Sequence, residues 1–471
     1  MIAAPAFLIQ FAEWVAIVAI IVGLSQNLLY ALQLVLAARS MRANPPGSRP
    51  APLWRRYADQ APPIALLSPA FNEEKSIVSC VRSMLALQYS AYEVIVINDG
   101  STDGTLERLV TAFELEPSER AYEQRLQHNR IRGIYTSSLF PRLVVVDKEN
   151  GGKADALNAG INISRAPIFC SMDADSLLES DSLLRAVRPF VEDPGRVVAV
   201  GGTVRLANGC TIEHGRVTDI RLPRNMLARI QIVEYLRAFL MARLAWSELG
   251  ALTIISGAFG LFKRDTVVSM GGYARNTVGE DMELVVRLHR KLREAGQSYR
   301  IAYVPEPVCW TEAPETLSDL SKQRARWHRG SLETFFRHRD MLLRPKYGPV
   351  GSIGFFNILL TDVIGPIIEL AGFFLLPLFW LLGILSFDYL LAFLAVSVAF
   401  GIALSVSALV LEEIQLKRFS SPLALLRLTV AAIVENLGYQ LLSNFWRIRG
   451  WVQFLRKSQS WDTLSRKGFG S

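Results

Sequence analysis

Ile168-Phe169-Cys170-Ser171-Met172-Asp173-Ala174-Asp175 is a short apolar run that stops on two carboxylates. A run of this length fits a buried strand, and acids at its end sit where open α/β sheets bind ligands. The same shape recurs upstream. Val94-Ile95-Val96-Ile97 ends at Asn98-Asp99-Gly100, Leu143-Val144-Val145-Val146 ends at Asp147, and Ile64-Ala65-Leu66-Leu67 ends at Ser68-Pro69. Helical patterns separate these runs. Glu73 to Leu87 carries Ile77, Val78, Val81, Met84 and Leu85 at helical spacing, a second helix opens at Thr102-Asp103, and Lys153 to Ile163 reads as a third. Short buried strands alternating with helices predict an α/β, Rossmann-like, mostly parallel sheet. Glu114 to Arg132 is charged and poorly patterned, so a surface excursion is expected there. There is no internal repeat and no low-complexity tract.

The 471 residues suffice for one large or two modest domains plus membrane segments. Hydrophobic residues make up 51% and charged residues 20%, with a net charge of +8. The bases flank apolar segments, which points to anionic lipid headgroups. No helix-turn-helix or RNP pattern occurs, so no nucleic acid is expected. The cysteines (Cys80, Cys170, Cys210, Cys309) lack C-x-x-C spacing and read as reduced. The histidines form no H-x-x-x-H pair, which argues against zinc. No nucleophile elbow is present.

Ala6 to Ala38 is too long for a signal-peptide core and long enough to span a bilayer. Arg39 to Arg56 follows with five arginines and no acid, so that side is read as cytoplasmic and the N-terminus as outside. Phe355 to Leu385 and Tyr389 to Leu411 are further spans, the first holding Asp362 and Glu369. Glu412, Glu413, Lys417 and Arg418 break the pattern. Pro422 to Trp446 is a weaker candidate, because Arg427, Glu435, Asn436, Gln440 and Asn444 are costly at mid-bilayer; it either spans while facing other helices or lies in the interface. The basic tail beyond it favours a cytoplasmic end. Three full spans plus one interfacial or re-entrant segment satisfy that charge rule. Arg221 to Leu249 is amphipathic and basic, either lying on the membrane or forming an ordinary domain helix. The expected division is an N-terminal membrane helix (1–40), a basic linker (41–62), a catalytic domain (63–340), a membrane region (341–446) and a basic tail (447–471).

Several positions carry chemistry. Asp173 and Asp175 can reach one divalent ion and the phosphates it carries. Asp99 can accept hydrogen bonds from a ribose or base edge. Lys148-Glu149-Asn150-Gly151-Gly152-Lys153-Ala154 enters a helix, and its amides and Lys153 can face an anion, though the spacing is not that of a P-loop. Gly279-Glu280-Asp281 opens a helix, where a carboxylate is favoured and can serve as a general base. Gln323, Arg326 and Trp327 share one helix face, with Arg326 suited to phosphate and Trp327 to stacking on a sugar. Ser256-Gly257-Ala258-Phe259-Gly260 is a small-residue run that is a candidate lining of an acceptor cleft. Each has a plainer reading when taken alone. These are a solvated turn, an Asp-Gly turn with a cap, a helix-entry turn, charge complementarity to a helix dipole, and an amphipathic interfacial helix.

Together and in this order the motifs resemble those of the membrane-bound, processive family 2 glycosyltransferases, which include cellulose, hyaluronan, chitin-oligosaccharide and poly-N-acetylglucosamine synthases. Pro69-Ala70-Phe71-Asn72-Glu73 is similar to their opening strand-end motif, and Asp99 matches the first aspartate. Asp173-Ala174-Asp175 matches the D-x-D, Asp281 the acid of T/G-E-D, and Gln323 to Trp327 the Q-x-x-R-W. The resemblance covers about Pro63 to Gly330. It implies a GT-A fold on the cytoplasmic face of an inner or plasma membrane. It also implies a nucleotide-diphosphate sugar donor, usually UDP-linked, and inversion at the anomeric carbon. By the same resemblance Glu73, Asp99, Lys153, Asp173, Gln323 and Arg326 bind the donor, and Asp175 ligates Mg²⁺ or Mn²⁺. Asp281 is the catalytic base, and Trp327 and Glu280 face the acceptor. The implied partners are the donor, a polysaccharide or lipid acceptor, membrane lipids, and an accessory or oligomeric partner completing an export path. Three activities stay open: polysaccharide synthesis coupled to export, transfer of a single sugar to a membrane lipid, and a non-catalytic nucleotide-sugar-binding scaffold.

Overall fold

The structure, a computed structural model, describes residues 5–43, 60–213, 216–416 and 421–457. Residues 44–59 of the expected linker, Lys417 and Arg418 of the charged break, and 458–471 of the expected tail lie outside the described residues. The chain divides into two compact units. One is an α/β unit built from 60–224 and 252–313; the other is helical and built from 5–43, 225–251 and 314–457.

In chain order the strands of the α/β unit are β1 (Ile64–Ala70), β2 (Tyr92–Asp99), β3 (Glu116–Pro117), β4 (Ile131–Thr136), β5 (Leu143–Lys148), β6 (Ile168–Ser171), β7 (Ser176–Leu178), β8 (Val197–Leu206), β9 (Thr211–Glu213), β10 (Arg216–Asp219), β11 (Gly260–Lys263) and β12 (Arg300–Thr311). Ten of them form one sheet in the order β3-β4-β5-β2-β1-β6-β11-β8-β12-β7, and β9 and β10 form a separate hairpin. The strands β5, β2, β1 and β6 run parallel, as do β8 and β12. Val94–Ile97 and Leu143–Val146 are buried on both faces, as strands covered by helices must be. Burying each such side chain contributes about 1.5–3 kcal/mol. The parallel register brings the carboxyl ends of β1, β2, β5 and β6 to one edge, with Asp99 opposite Lys148.

The sheet is wider than the sequence pattern suggested. β11 inserts antiparallel between β6 and β8. The Gly201-Gly202 pair inside β8 hides that strand in the sequence. A Cβ on Gly202 would meet Val308 Cγ2 at 2.4 Å, so glycine there makes room for β12 rather than breaking the strand. The first helix begins at Ile77, leaving Glu73 in the turn before it. The expected excursion at Glu114 to Arg132 is largely irregular and exposed, apart from β3 and the start of β4.

The helical unit contains four helices long and apolar enough to cross a membrane: Ala6–Ala43, Val350–Leu381, Phe387–Ile414 and Pro422–Leu455. The last is the least apolar of the four, with a mean hydropathy of 1.2. It is continuous and runs past Trp446, so Arg447 and Arg449 of the expected tail are helical. Several of its polar side chains pair with groups on neighbouring helices. Asn444 donates to Glu369 at 2.8 Å, Arg447 pairs with Asp362 at 2.7 Å, Asn436 donates to Ser405 at 3.3 Å, and Glu435 pairs with Arg237. Intramembrane polar groups are tolerated when they face protein in this way. Arg237 belongs to the expected amphipathic segment, which is helical from Met226 to Glu248 through wider π-type turns.

Candidate active site

The site at the carboxyl edge of the sheet begins with a buried lysine. The Lys148 amine lies 2.5 Å from Asp99 Oδ1 and 2.7 Å from Asp155 Oδ1, and its side chain is fully buried. Asp99 also accepts the amides of Gly151, at 3.0 Å, and Gly152, at 2.8 Å. Asp155 in turn pairs with Arg275 at 2.9 Å and accepts the Asn129 amide. Burial raises the Asp99 carboxyl pKa in spite of Lys148 and the two amides. Burial pushes Asp155 the same way, but Lys148, the Asn129 amide and Arg275 outweigh it and hold it low. Asp99 therefore fastens the 149–152 loop, and that loop delivers Lys153. No motif assigns a role to Lys148, Asp155 or Arg275. A lysine closing a run of buried β-branched residues was the available signal, since an ionised amine is rarely buried without partners.

Lys153 opens the helix Lys153–Ile163 and is the centre of the charged cluster. Its amine is 2.5 Å from Asp173 Oδ1 and 3.4 Å from Glu280 Oε1, and it donates to the Gly257 carbonyl at 3.4 Å. Burial alone would lower its pKa; the charges of Asp173, Glu280 and Asp281 more than reverse that and raise it. Glu280 is buried, and burial raises its carboxyl against the pull of Lys153, with the Asp281 charge adding to the rise. Glu280 thus faces Lys153. Asp281 is in the first turn of Glu280–Glu294, a helix with acids at its start and Lys291 and Arg293 in its last turn, as the dipole favours. Asp281 Oδ2 accepts the Gly257 amide at 3.0 Å, and Oδ1 accepts the Met282 amide at 2.8 Å.

Asp173 and Asp175 follow β6, and Asp175 is buried. The Cys80 thiol is raised by burial and then by the charge of Asp175, with Glu73 adding to it, so these carboxylates share one neighbourhood. Glu73 accepts from the Ser76 hydroxyl at 2.8 Å, and its amide donates to Thr105 at 2.9 Å. Among the described residues no group of three or more His, Cys, Asp or Glu side chains is placed to hold a metal by itself. Two hard carboxylates do fit an Mg²⁺-like ion whose remaining ligands are phosphate and water. This donor set suits an ion that arrives with its substrate.

In the helical unit, Gln323, Arg326 and Trp327 lie on the helix Leu317–Arg337, whose first turn is capped by Thr316 accepting the Asp319 amide. Trp327 is 44% exposed. The Arg324 guanidinium stacks 4.6 Å from its ring centre and pairs with Glu234 at 2.6 Å. Arg324 occupies a variable position of Q-x-x-R-W, so the motif gave no reason to select it.

Comparison with known proteins identifies the family and the fold. The family model for glycosyl transferase family 2 matches residues 66–265, and that for glycosyl transferase family group 2 matches residues 168–406. The poly-beta-1,6-N-acetyl-D-glucosamine synthase of Staphylococcus aureus (strain COL) is 30% identical over 302 residues, covering 64% of this chain and 62% of that protein. The synthase of the same name from Staphylococcus epidermidis is 30% identical over 275 residues, covering 58% of this chain and 56% of that protein. The chain thus spans about three fifths of the length of these relatives. A mannosyltransferase from Pyrobaculum calidifontis, solved with GDP-Man and Mn²⁺, shares the fold at a TM-score of 0.55 and 19% identity, covering 94% of this chain and 99% of that one. The group 2 model takes in half of the chain, from β6 to the third apolar helix, and the chain belongs to the family 2 glycosyltransferases, with a GT-A fold in its α/β unit.

Proposed function

We propose that this chain transfers a sugar from a UDP-linked donor to the growing end of a β-linked polysaccharide, with inversion, and passes the product towards the membrane. The observation that carries the reading is Lys153 lodged among Asp173, Glu280 and the Gly257 carbonyl, with Asp281 fixed beside it by the Gly257 amide. A cation for a diphosphate and an anchored carboxylate for a hydroxyl proton thus stand together. The acceptor hydroxyl gives its proton to Asp281 as its oxygen bonds to the anomeric carbon. The bond from that carbon to the diphosphate oxygen breaks, and the electron pair leaves with the nucleoside diphosphate facing Lys153. A single displacement inverts the centre and needs no nucleophilic side chain.

Asp175, with Asp173, would hold Mg²⁺ or Mn²⁺, which when bound supplies charge neutralisation at the diphosphate. The Mn²⁺ and GDP-Man of the P. calidifontis enzyme support a metal and a nucleotide sugar as a class. Asp99 serves the donor by fastening the loop that carries Lys153, and Glu73 lies near the same carboxylates. Gln323 and Arg326 as donor contacts and Trp327 as acceptor contact follow the family motif. A cytoplasmic catalytic unit follows the arginine-rich segment after the first apolar helix. The names of the staphylococcal relatives make UDP-N-acetylglucosamine the first donor to test. Inverted membrane vesicles carrying the chain should turn this donor, or another of a UDP-sugar panel, into a polymer cut by linkage-specific hydrolases. A product limited to one sugar on lipid would favour single transfer and sink the polymer reading. Donor binding without turnover of any donor would favour the scaffold.

A further inference from the structure

Gly257 lies in the small-residue run ahead of β11, between the cation and the carboxylate of the site. Its amide donates to Asp281 Oδ2 at 3.0 Å and its carbonyl accepts from Lys153 Nζ at 3.4 Å, so one residue touches both groups. A Cβ built on Gly257 would stand 2.4 Å from Lys153 Nζ and 3.6 Å from Asp281 Oδ2. The lysine amine occupies the space that any side chain would need. Gly257 has no left-handed backbone conformation, so the requirement for glycine comes from that close approach.

We infer that Gly257 is a positioning residue of the transfer reaction, seating the Lys153 amine against Asp173 and Glu280 while its amide orients Asp281. The inference rests on the proposed roles of Lys153 and Asp281. The Asp281 carboxylate is gripped by two amides, Gly257 and Met282, one on each oxygen. Charge-assisted bonds of this kind fix a carboxylate in one geometry. The atom that would clash with a new side chain is the far end of a flexible lysine, so alanine displaces the amine at little expense to the fold.

The test uses the full chain in detergent, with UDP-N-acetylglucosamine or whichever UDP-sugar the vesicle panel identifies. Gly257→Ala should keep the thermal midpoint and lower kcat/KM by about a hundredfold, the scale of a misplacement near 1 Å. Lys153→Met should also lose activity, and adding Gly257→Ala to it should change the rate by less than about twofold, because the displaced amine is already gone. Wild-type turnover in Gly257→Ala would overturn the inference, as would two losses that multiply in the double variant. If Gly257→Ala alone fails to fold, recovery of the fold in the double variant supports the shared seat, and no recovery overturns it. Wild-type turnover in both Lys153→Met and Asp281→Asn would instead reject the site itself.

Discussion

Lys148→Met is the sharpest probe of the buried charge network. The substitution keeps an apolar stem and removes a fully buried amine that touches Asp99 at 2.5 Å and Asp155 at 2.7 Å. Asp99 would keep only its two loop amides, and Asp155 would keep Arg275 and the Asn129 amide. Removing one partner of a buried ion pair typically costs about 3–5 kcal/mol, because the remaining charge stays buried. The Asp99 carboxyl, already raised by burial, would then rise further above the unfolded-state value of about 3.9, and Asp155 would lose part of what holds it low. The folded state would take up protons more readily than the unfolded chain, so the deficit shrinks as pH falls. Each unit of rise recovers about 1.4 kcal/mol once the pH lies below the unfolded value. Hydrogen exchange at the Gly151 and Gly152 amides reads this directly. Their exchange at pH 8 should accelerate by at least about a hundredfold, the equivalent of 3 kcal/mol. The ratio of variant to wild-type exchange should narrow between pH 8 and pH 5. A ratio below about fivefold, or one unchanged with pH, would refute the reasoning.

Three other outcomes are expected. His289 donates to the Leu252 carbonyl at 2.8 Å and accepts from Tyr299 at 2.6 Å, and burial holds its pKa down at about 4 against an ordinary 6.5. Its contribution to stability is complete above pH 6.5 and lost as pH falls from there towards 4. His289→Gln should therefore remove about 2 kcal/mol of the stability change between pH 8 and pH 5, measured by denaturant melts of the full chain. Asp175→Ala should abolish metal-dependent turnover, and full wild-type activity in chelator would reject the metal role. Arg324→Lys keeps a charge for Glu234 but removes the flat group over Trp327. If Trp327 holds the acceptor, the variant should raise the acceptor KM several-fold with the donor KM unchanged; no change in either would remove Arg324 from the account.

Much of the catalytic half of the sheet was legible because its strands are buried on both faces and read as continuous apolar runs. Asp99, Asp173 and Asp281 stand out as candidates because each sits where a run or a helix changes character. β8 and β11 were not found. The Gly201-Gly202 pair reads locally as a breaker, and only the side chain of Val308, over a hundred residues away, explains it. The role of Asp99 was partly legible: its place at a strand end was clear, but its lysine partner lies 49 residues further on. Gly257 stood out only as one of several small residues, since its partners come from two distant helices. The polar residues of Pro422–Leu455 make it the weakest span candidate in the sequence, because their partners, Glu369, Asp362 and Arg237, cannot be read from local sequence.

The central claim is that Asp281 takes the proton from the acceptor while Lys153 faces the leaving diphosphate. Asp281→Asn tests it most directly, with donor binding measured by calorimetry and turnover measured on the same preparation. The account predicts donor affinity within about threefold of wild type and turnover reduced by about 10²–10⁴, the range for loss of a general base. Wild-type turnover with unchanged donor affinity would contradict it.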